Sequence, residues 1–349
     1  MPSTLKDIAR ALGLSPATVS RALNGFPEVN ENTRIRVTEQ AERLGYRPNQ
    51  LARKLVSGRS GIIALVVPHA ESLAEDTSFF GVVAGLSTAL AAHDLDLMLH
   101  VAAAGDDELT PYHRLISKGV IDGFIFNSPR LDDPRIALAR EHNLAFVVHG
   151  RVSPLDEYAY YDIDNHYVSS AAVTMLCGLG HRRIALINGP EHHSYAVDRR
   201  TGFLDTLSEL GIQSSEAPIL HGELTEQHGY SAVMRALESD RLRCPTAFVC
   251  GSVQIAAGAL SAIREKGLRV PQDISVIAHD DHVPHYHSSE MSPPLTVTSS
   301  PLTGACRPLA ELLVMQLNGN PEKRSLQKRE LPSVLVRQST GPVPLRGPK

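Results

Sequence analysis

Apolar residues in the first fifty positions recur at helical spacing in three short runs. Their inward positions are Leu5, Ile8, Ala9 and Leu12, then Val19, Ala22 and Leu23, and then Val37, Ala41 and Leu44. Spacings of three and four residues place each set on one face of a helix. The pattern therefore predicts three small helices that share one compact core.

The residues between these runs predict where the helices begin and end. Gly13 ends the first helix, and Ser15 followed by Pro16 starts the second. A serine caps free N–H groups at a helix start, and a proline at the first helical position has no N–H to satisfy. Asn24-Gly25 is a helix stop, and the third helix follows Asn30. Two short helices joined by a tight glycine-containing turn form a helix-turn-helix.

From Gly61 the pattern changes to short apolar runs that alternate with amphipathic helices. The runs include GIIALVVPH, LDLMLHV, DGFIFN, LAFVVHG, RIALING, TAFVCG and DISVIAHDD. Such alternation is typical of parallel strands covered by helices on both faces. Two successive series predict an α/β body of two doubly wound lobes with a cleft between them.

Open α/β sheets bind ligands beyond the carboxyl ends of their strands. The residues at those ends that could contact a small molecule are His69, Phe79, Phe80, Arg151, His192, His193, Tyr195, Asp198, Arg199, Arg200, Ser252 and Asp280. We therefore predict a ligand site between the lobes.

Charge separates the front of the chain from the body. Residues 1–60 contain ten Lys or Arg residues against five acidic ones, which leaves 24 basic and 33 acidic residues for the rest. A basic segment on an acidic body favours a polyanion as partner, although a solvated basic surface is the alternative.

The cysteines and the first residues limit the class of protein. Cys177, Cys244, Cys250 and Cys306 are too few and too scattered for a disulfide framework or a cysteine zinc site. The start lacks the apolar region of a signal peptide, and no run approaches a membrane span. We therefore expect a cytoplasmic protein.

The second helix of a helix-turn-helix lies in the DNA major groove, with its first residues at the base edges. Pro16, Ala17 and Arg21 would face the bases, where arginine can grip guanine with two hydrogen bonds and alanine can contact a thymine methyl. The short side chains suited to phosphate contacts are Thr4, Ser15, Thr18, Ser20 and Asn24. The alternative is that Ser15 and Asn24 only cap helices and that Arg21 is an ordinary surface residue.

Two stretches of this segment resemble the lactose/galactose repressor (LacI/GalR) family of bacterial regulators. They are LKDIARALGLSPATVSRALNG and VNENTRIRVTEQAERLGYRPNQLARKL, which follow the DNA-binding head of the family almost position by position. The resemblance continues through the chain and implies a body with the fold of periplasmic sugar-binding proteins.

The resemblance also gives a role to the segment YRPNQLARKLVSGRSG. Asn49 can cap a short helix over residues 50–56 before a flexible linker. In the family this hinge helix folds in the minor groove of the operator beside its dimer mate. Leu55 matches the wedge leucine that inserts between base steps, and Ala52 matches the small residue between the paired helices. Leu55 could instead pack on the body.

For the cleft, the resemblance implies a polar clamp on ligand hydroxyls or ring nitrogens. Arg199 in RRTGF matches the family arginine, and Asp280 matches the acid that closes its VIxxD motif. Phe79 and Phe80 match its apolar wall, and Asp164 matches the acid of its DN motif. The alternatives are core positions for the two phenylalanines, a loop cap for Asp280 and an ion pair for Arg199.

One departure from the family concerns the ligand. Val253 stands where the family usually has an acid, and the chain contains no tryptophan, the commonest sugar-stacking residue. The ligand of one member therefore cannot be transferred to this chain. A sugar or glycoside is the commonest ligand of the family and is our prediction, with a purine or nucleoside as the alternative.

A metal-dependent enzyme and a transport binding protein are the two other classes that the sequence brings into question. His279–His287 contains four histidines and two aspartates and could serve a metal-dependent enzyme, but it predicts a strand end and a loop rather than helical ligand spacing. No dinucleotide-binding, nucleophile-elbow or phosphate-loop motif is present, so we expect no catalysis, metal or cofactor. A transport binding protein would share the body fold but would lack the helix-turn-helix.

The predicted organisation has four parts. They are a helix-turn-helix domain at 1–47, a hinge helix and linker at 48–60, an effector-binding and dimerisation body at 61–340, and a tail at 341–349. Within the body, the first lobe is expected at about 61–163 plus 292–320, and the second at about 164–291 plus 321–340.

The combined prediction is a transcriptional repressor whose affinity for double-stranded DNA is controlled by a small ligand. We expect a homodimer on a pseudo-palindromic operator. The C-terminal residues STGPVPLRGPK contain no leucine heptads, so a tetramer-forming tail is not expected.

Overall fold

The computed structural model describes residues 3–23, 26–46, 59–67, 79–152, 158–213, 217–238, 244–319 and 326–344. The chain divides into two compact units, Met1–Ser60 and Gly61–Lys349.

In its described residues, the first unit contains the three predicted helices. They are α1 (Leu5–Leu12), α2 (Pro16–Leu23) and α3 (Glu31–Arg43). Their common core consists of Ile8, Ala9, Val19, Ala22, Val29, Val37 and Ala41. The spacing of apolar residues therefore identified the buried face of each helix.

Local hydrogen bonds fix the starts of these helices. The Asp7 carboxylate accepts from the N–H and the hydroxyl of Thr4, and these bonds lower the pKa of Asp7. Ser15 Oγ accepts from the N–H of Thr18 at 3.0 Å, and Asn30 Oδ1 accepts from the N–H of Thr33 at 2.8 Å. Each bond satisfies backbone donors that a helix start leaves free.

The second unit alternates strands and helices. In chain order they are β1 (Ile62–Val67), α4 (Phe79–Ala91), β2 (Asp96–Val101), α5 (Thr110–Lys118), β3 (Gly123–Asn127), α6 (Pro134–Glu141), β4 (Ala145–His149), β5 (Ala159–Ile163), α7 (Asn165–Gly178), β6 (Ile184–Asn188), α8 (Ser194–Glu209), β7 (Ile219–His221), α9 (Glu226–Leu237), β8 (Ala247–Cys250), α10 (Val253–Glu265), β9 (Ser275–Asp280), β10 (Thr296–Ser299), α11 (Cys306–Leu317), β11 (Gln327–Glu330) and β12 (Ser333–Leu335).

The strands form two six-stranded sheets, one in each lobe. The orders are β11-β5-β4-β3-β1-β2 and β12-β10-β9-β8-β6-β7. The pairings are parallel except for the antiparallel pair of β10 with β12. The predicted α/β body with two doubly wound lobes is confirmed.

Successive side chains of a strand point to opposite faces of its sheet, so both faces carry apolar side chains that helices can cover. In β1, Ile63 and Leu65 pack in one hydrophobic cluster, while Ala64 and Val66 pack in another on the opposite face. Runs with both faces buried read as continuous apolar stretches, which is why the sequence predicted these strands.

The last strands correct the predicted lobe boundaries. Thr296–Ser299 pairs with β9 of the second lobe, and Gln327–Glu330 pairs with β5 of the first, so residues 292–320 and 321–340 do not each belong to one lobe. Strands of four residues such as QKRE carry little apolar signal, and their sheet is decided by pairing with distant strands.

The tail predicted to start at residue 341 is attached to the second lobe as far as the structure describes it. The Gly341 N–H donates to Ser275 Oγ at 3.1 Å, and the Val343 N–H donates to Leu179 O at 2.9 Å. His181, fully buried, contacts Ser275 Oγ and Gly341 O with one ring nitrogen, both at 3.1 Å. These residues, which belong to no strand, are held by hydrogen bonds to distant parts of the chain, and a local sequence pattern does not predict such bonds.

Within the described ranges, none of the helices combines the length and apolar character needed to cross a bilayer.

Two glycines allow α9 and α10 to pack closely. A Cβ atom added at Gly258 would lie 1.9 Å from the carbonyl oxygen of Glu226, and one at Gly229 would lie 2.0 Å from that of Ile255. Both neighbours are backbone atoms, so they cannot move unless the helices separate.

We predict that Gly258→Ala destabilises the protein, because the new methyl group must push two packed helices apart. Overpacking of this kind costs about 1–3 kcal/mol or more, and thermal or urea unfolding measures it. The matched control is Gly178→Ala at the end of α7, where an added Cβ meets no atom within 4 Å. Equal stability of the two variants would contradict the predicted close packing.

Candidate DNA-binding surface and ligand cavity

The second helix of the first unit has one exposed and one buried face. Pro16, Ala17 and Arg21 are exposed, while Val19 and Ala22 lie in the core. Among the residues that the structure describes, no acidic side chain forms an ion pair with Arg21. These three predicted base-contacting residues are therefore available on the surface of α2.

Several predicted phosphate-contacting residues have local partners. Thr4 donates its hydroxyl to Asp7 Oδ2 at 2.7 Å, and Ser15 Oγ lies 2.9 Å from Thr18 Oγ1. Thr4 and Ser15 thus act as helix caps, while Thr18 and Ser20 are half-buried. Their phosphate contacts stay a prediction. Other predicted site residues lie outside the described residues, namely Asn24, Asn49, Ala52, Leu55 and His69.

A cavity of about 410 Å³ lies between the lobes of the second unit, beyond the carboxyl ends of both sheets. Phe79, Tyr195 and Arg199, which the sequence analysis predicted as ligand contacts, line it. His193, one of the strand-end residues, lines it too. The strand-end rule therefore located the cavity, and ligand contact by these residues stays a prediction.

Arg199 is the central polar residue of the cavity and is only 4% exposed. Its Nε donates to Asn165 Oδ1 at 2.9 Å, and its Nη1 donates to Gly251 O at 2.7 Å. Its guanidinium carbon also lies 5.1 Å from the centre of the Tyr195 ring. No described carboxylate pairs with it, so neutral groups hold a buried cation whose charge faces the cavity.

Asn165 connects Arg199 to an acid of the first lobe. Its Nδ2 donates to Asp162 Oδ1 at 3.1 Å. Burial raises the pKa of Asp162 to about 7, against the lowering effect of nearby Arg151. Asp162 therefore carries a partial negative charge at neutral pH.

The acid from the second lobe is Asp281. His279 Nε2 lies 2.9 Å from Asp281 Oδ1, although the angle is poor for a hydrogen bond. Burial acts to raise the pKa of Asp281, but His279, Arg199 and His149 together lower it. Asp281 is therefore ionised and faces the cavity.

The sequence analysis placed Asp280 and Asp164 in the cleft, and the structure places both elsewhere. Asp280 accepts from the His282 N–H at 2.9 Å and from the Ser288 hydroxyl. Asp164 caps α7 through the Tyr167 N–H. Successive residues at a strand end face opposite ways, so an assignment by motif can miss the inward acid by one position, as at Asp281. Asp164 lies just past the end of β5 and caps the helix that follows.

Three further predicted contacts do not line the cavity. Phe80 is 63% exposed, and Ser252 is buried as the cap of α10, where its Oγ accepts from the Ile255 N–H at 3.2 Å. Arg151 donates to Asp198 Oδ2 at 2.7 Å and so ties the first lobe to α8 of the second. Ser252 and Arg151 thus have structural roles that the strand-end rule does not distinguish from ligand contact.

Helix α8 begins at Ser194, and no side chain caps its start. The Ser194 N–H donates to Pro129 O in the first lobe at 3.1 Å. A carbonyl of the other lobe therefore replaces the side-chain cap that sequence patterns detect. As a result, Tyr195 lies in the first turn of the helix.

Several polar residues that line the cavity are not among those predicted from the sequence. They are Asn127, His149, Asp162, Asn165, Glu223, Gln254 and Asp281. Asn127 and His149 are the last residues of β3 and β4. A polar residue that closes a buried strand was the signal that could have identified these two.

The histidine-rich loop forms no metal site that the structure describes. Over the described ranges, no group of three His, Cys, Asp or Glu side chains is placed to hold a metal ion. His279 Nδ1 lies 3.0 Å from Thr298 Oγ1, and His282 Nε2 lies 2.9 Å from Ser299 Oγ. These contacts connect the loop to β10.

Comparison with known proteins extends these observations along the chain. Residues 4–49 match bacterial regulatory proteins of the lacI family, and residues 173–340 match a periplasmic binding protein-like domain. The HTH-type transcriptional regulator AglR of Rhizobium meliloti is 41% identical over 100% of this chain and 97% of its own length. The regulator RafR of Escherichia coli is 37% identical over 79% of this chain and 81% of its own length.

Two solved structures are similar in fold over nearly the whole chain. The lac repressor dimer bound to operator and the anti-inducer ONPF has a TM-score of 0.76 and 26% identity, covering 98% of this chain and 100% of its own. The complex of the transcriptional regulator CelR with cellobiose has a TM-score of 0.69 and 29% identity, covering 97% and 99%. With the helix-turn-helix, the two-lobed body and full-length relatives in place, the chain belongs to the LacI family of bacterial regulatory proteins and is a DNA-binding transcriptional regulator.

Proposed function

We propose that this regulator represses genes of carbohydrate utilisation and that a sugar or glycoside in the interlobe cavity controls its affinity for the operator. It acts as a homodimer in the cytoplasm, on a pseudo-palindromic site and without catalytic turnover. The cavity itself is the observation that carries the proposal, because Arg199 and two carboxylates from different lobes converge on it.

The lining suits a ligand with many hydroxyl groups. A hydroxyl can donate to Asp162 or Asp281 and accept from Arg199, while Phe79 and Tyr195 offer apolar ring surface. The regulator CelR, whose fold this chain shares, is described in complex with cellobiose. A purine or nucleoside is less favoured, because its base offers few donors to a site rich in acceptors.

The ligand can act on DNA binding through the arrangement of the lobes. Arg151 contacts Asp198, and Ser194 contacts Pro129, so direct bonds already join the lobes around the cavity. A ligand that touches both lobes stabilises one of their arrangements over the other, and only that difference can change operator affinity. We propose that the hinge segment at 48–60 transmits the change, with Leu55 as its DNA wedge.

We predict that Arg199→Ala abolishes the ligand response and preserves operator binding. The loss of a hydrogen bond from a charged group costs about 1.5–3 kcal/mol, or roughly 10–100-fold in ligand affinity. Operator binding by fluorescence anisotropy, with and without the best sugar from a thermal-shift screen, measures both effects.

The matched control for this experiment is Arg200→Ala. Arg200 is exposed, pairs with Glu191 at 3.6 Å and does not line the cavity. The Arg200→Ala variant should respond to the ligand like the unchanged protein. A normal response of Arg199→Ala would remove Arg199 from the site.

We predict that Arg21→Ala weakens operator binding by about 10–100-fold while binding to random duplex changes little. The reason is that one arginine–guanine contact contributes about 1–3 kcal/mol of base discrimination. The operator is first obtained by selection from a random duplex pool, and anisotropy then gives both affinities.

Arg36→Ala is the control, since Arg36 is an exposed arginine on α3 and its loss removes the same charge. It should weaken operator and random duplex alike and reduce the salt dependence. If Arg21→Ala also weakens both duplexes equally, Arg21 contacts phosphate and does not read a base.

A further inference from the structure

We propose that the interlobe cavity selects an uncharged sugar and rejects the phosphorylated form of the same sugar. The inference rests on the proposed function, because it assumes that the ligand is a sugar. It adds the charge class of the ligand, which follows from the groups that surround the cavity.

The ionisable groups of the lining are predominantly acidic. Among the described residues that line the cavity, Asp162, Glu223 and Asp281 are acids, and Arg199 is the only Lys or Arg. Even when Asp162 is half protonated, the three carboxylates outnumber Arg199 of the lining together with Arg151, which lies outside the lining and 3.5 Å from Asp162. A phosphate dianion placed among them would be repelled, and more strongly in a partly buried site than in water.

The two histidines of the lining do not change this balance. Burial lowers the pKa of His149 to about 4, and burial and neighbouring His192 lower that of His193. Both rings are therefore neutral at pH 7. They can exchange hydrogen bonds with hydroxyls but supply no positive charge for a phosphate.

The hydrogen bond that Arg199 already makes through Nε blocks a side-on contact with a phosphate. A side-on, two-bond contact uses Nε and Nη2 together, but the single hydrogen of Nε is committed to Asn165 Oδ1. Nη1 also donates to Gly251 O. Nη2 has no partner among the described residues and can donate to a hydroxyl oxygen.

The cavity instead needs hydrogen-bond donors from its ligand. Asn127 Oδ1 is buried and has no partner within the described part of the chain. Together with Asp162, Glu223 and Asp281, it gives the lining several acceptors that the donors of a ligand can satisfy. Sugar hydroxyls supply donors, whereas phosphate oxygens at neutral pH chiefly accept.

The experiment compares matched sugar pairs on the full-length protein by thermal shift and calorimetry. The probes are glucose, trehalose and sucrose with their 6-phosphates, together with cellobiose, maltose, melibiose, adenosine and cytidine. We expect at least one neutral sugar to bind, and its phosphate to bind at least 100-fold more weakly. For a hit among cellobiose, maltose and melibiose, the corresponding 6-phosphate is prepared and tested.

A charge variant tests the cause of this discrimination. Glu223→Lys should narrow the gap between a sugar and its phosphate at least tenfold, because it replaces a cavity acid by a cation. The control Glu191→Lys makes the same charge change at a residue that is exposed, as Glu223 also is, but lies outside the lining, so it should leave the gap unchanged. An unchanged gap in Glu223→Lys would overturn the electrostatic cause.

The outcomes separate this inference from the proposed function. A phosphorylated sugar that binds as tightly as its neutral partner, or more tightly, overturns the inference and leaves a sugar-responsive regulator. Binding of adenosine or cytidine alone, or no binding by any sugar, overturns the proposed function itself.

Discussion

The body of this protein depends on how it accommodates the buried guanidinium of Arg199. A buried cation needs hydrogen-bond acceptors, and here an amide oxygen and a backbone carbonyl supply them instead of a carboxylate. Because no carboxylate in the described part of the chain forms an ion pair with Arg199, its charge can still polarise a ligand. The same Asn165 amide reaches Asp162 in the first lobe, so one hydrogen-bonded chain connects both lobes at the cavity wall.

The connections between the lobes explain how a small molecule in the cavity can change the arrangement of the body. The chain passes from one lobe to the other next to the cavity, as at Ile163–Asn165, and the Arg151–Asp198 pair joins the lobes nearby. A ligand that bridges Arg199 and Asp281 to the first lobe would add its contacts to those that already join the lobes. Such an addition is what a shift between two states requires.

Features that depend on neighbouring residues could be predicted from the sequence. Features that depend on contacts between distant parts of the chain could not. The helix faces around Val19 and the buried strand at β1 follow from spacing alone, and strand ends identified Arg199 and Tyr195 in the cavity. The choice of Asp281 over Asp280 depends on the strand face, and the position of β11 depends on pairing with β5. Neither is encoded in a local pattern.

Val253 shows how the cavity differs from the family pattern without losing its polarity. This residue is fully buried at the start of α10, where the family usually has an acid, and its neighbour Gln254 reaches the cavity. The carboxylates of Asp162, Glu223 and Asp281 keep the cavity rich in hydrogen-bond acceptors. The absence of an acid at Val253 therefore removes one contact, but the cavity still favours a ligand with hydrogen-bond donors. The helix-turn-helix unit has its own core, around Ile8 and Val37, which contains no residue of the cavity. The ligand can therefore alter DNA binding only through its unequal affinity for two arrangements of the body, which makes the chemistry of the cavity the determinant of the signal.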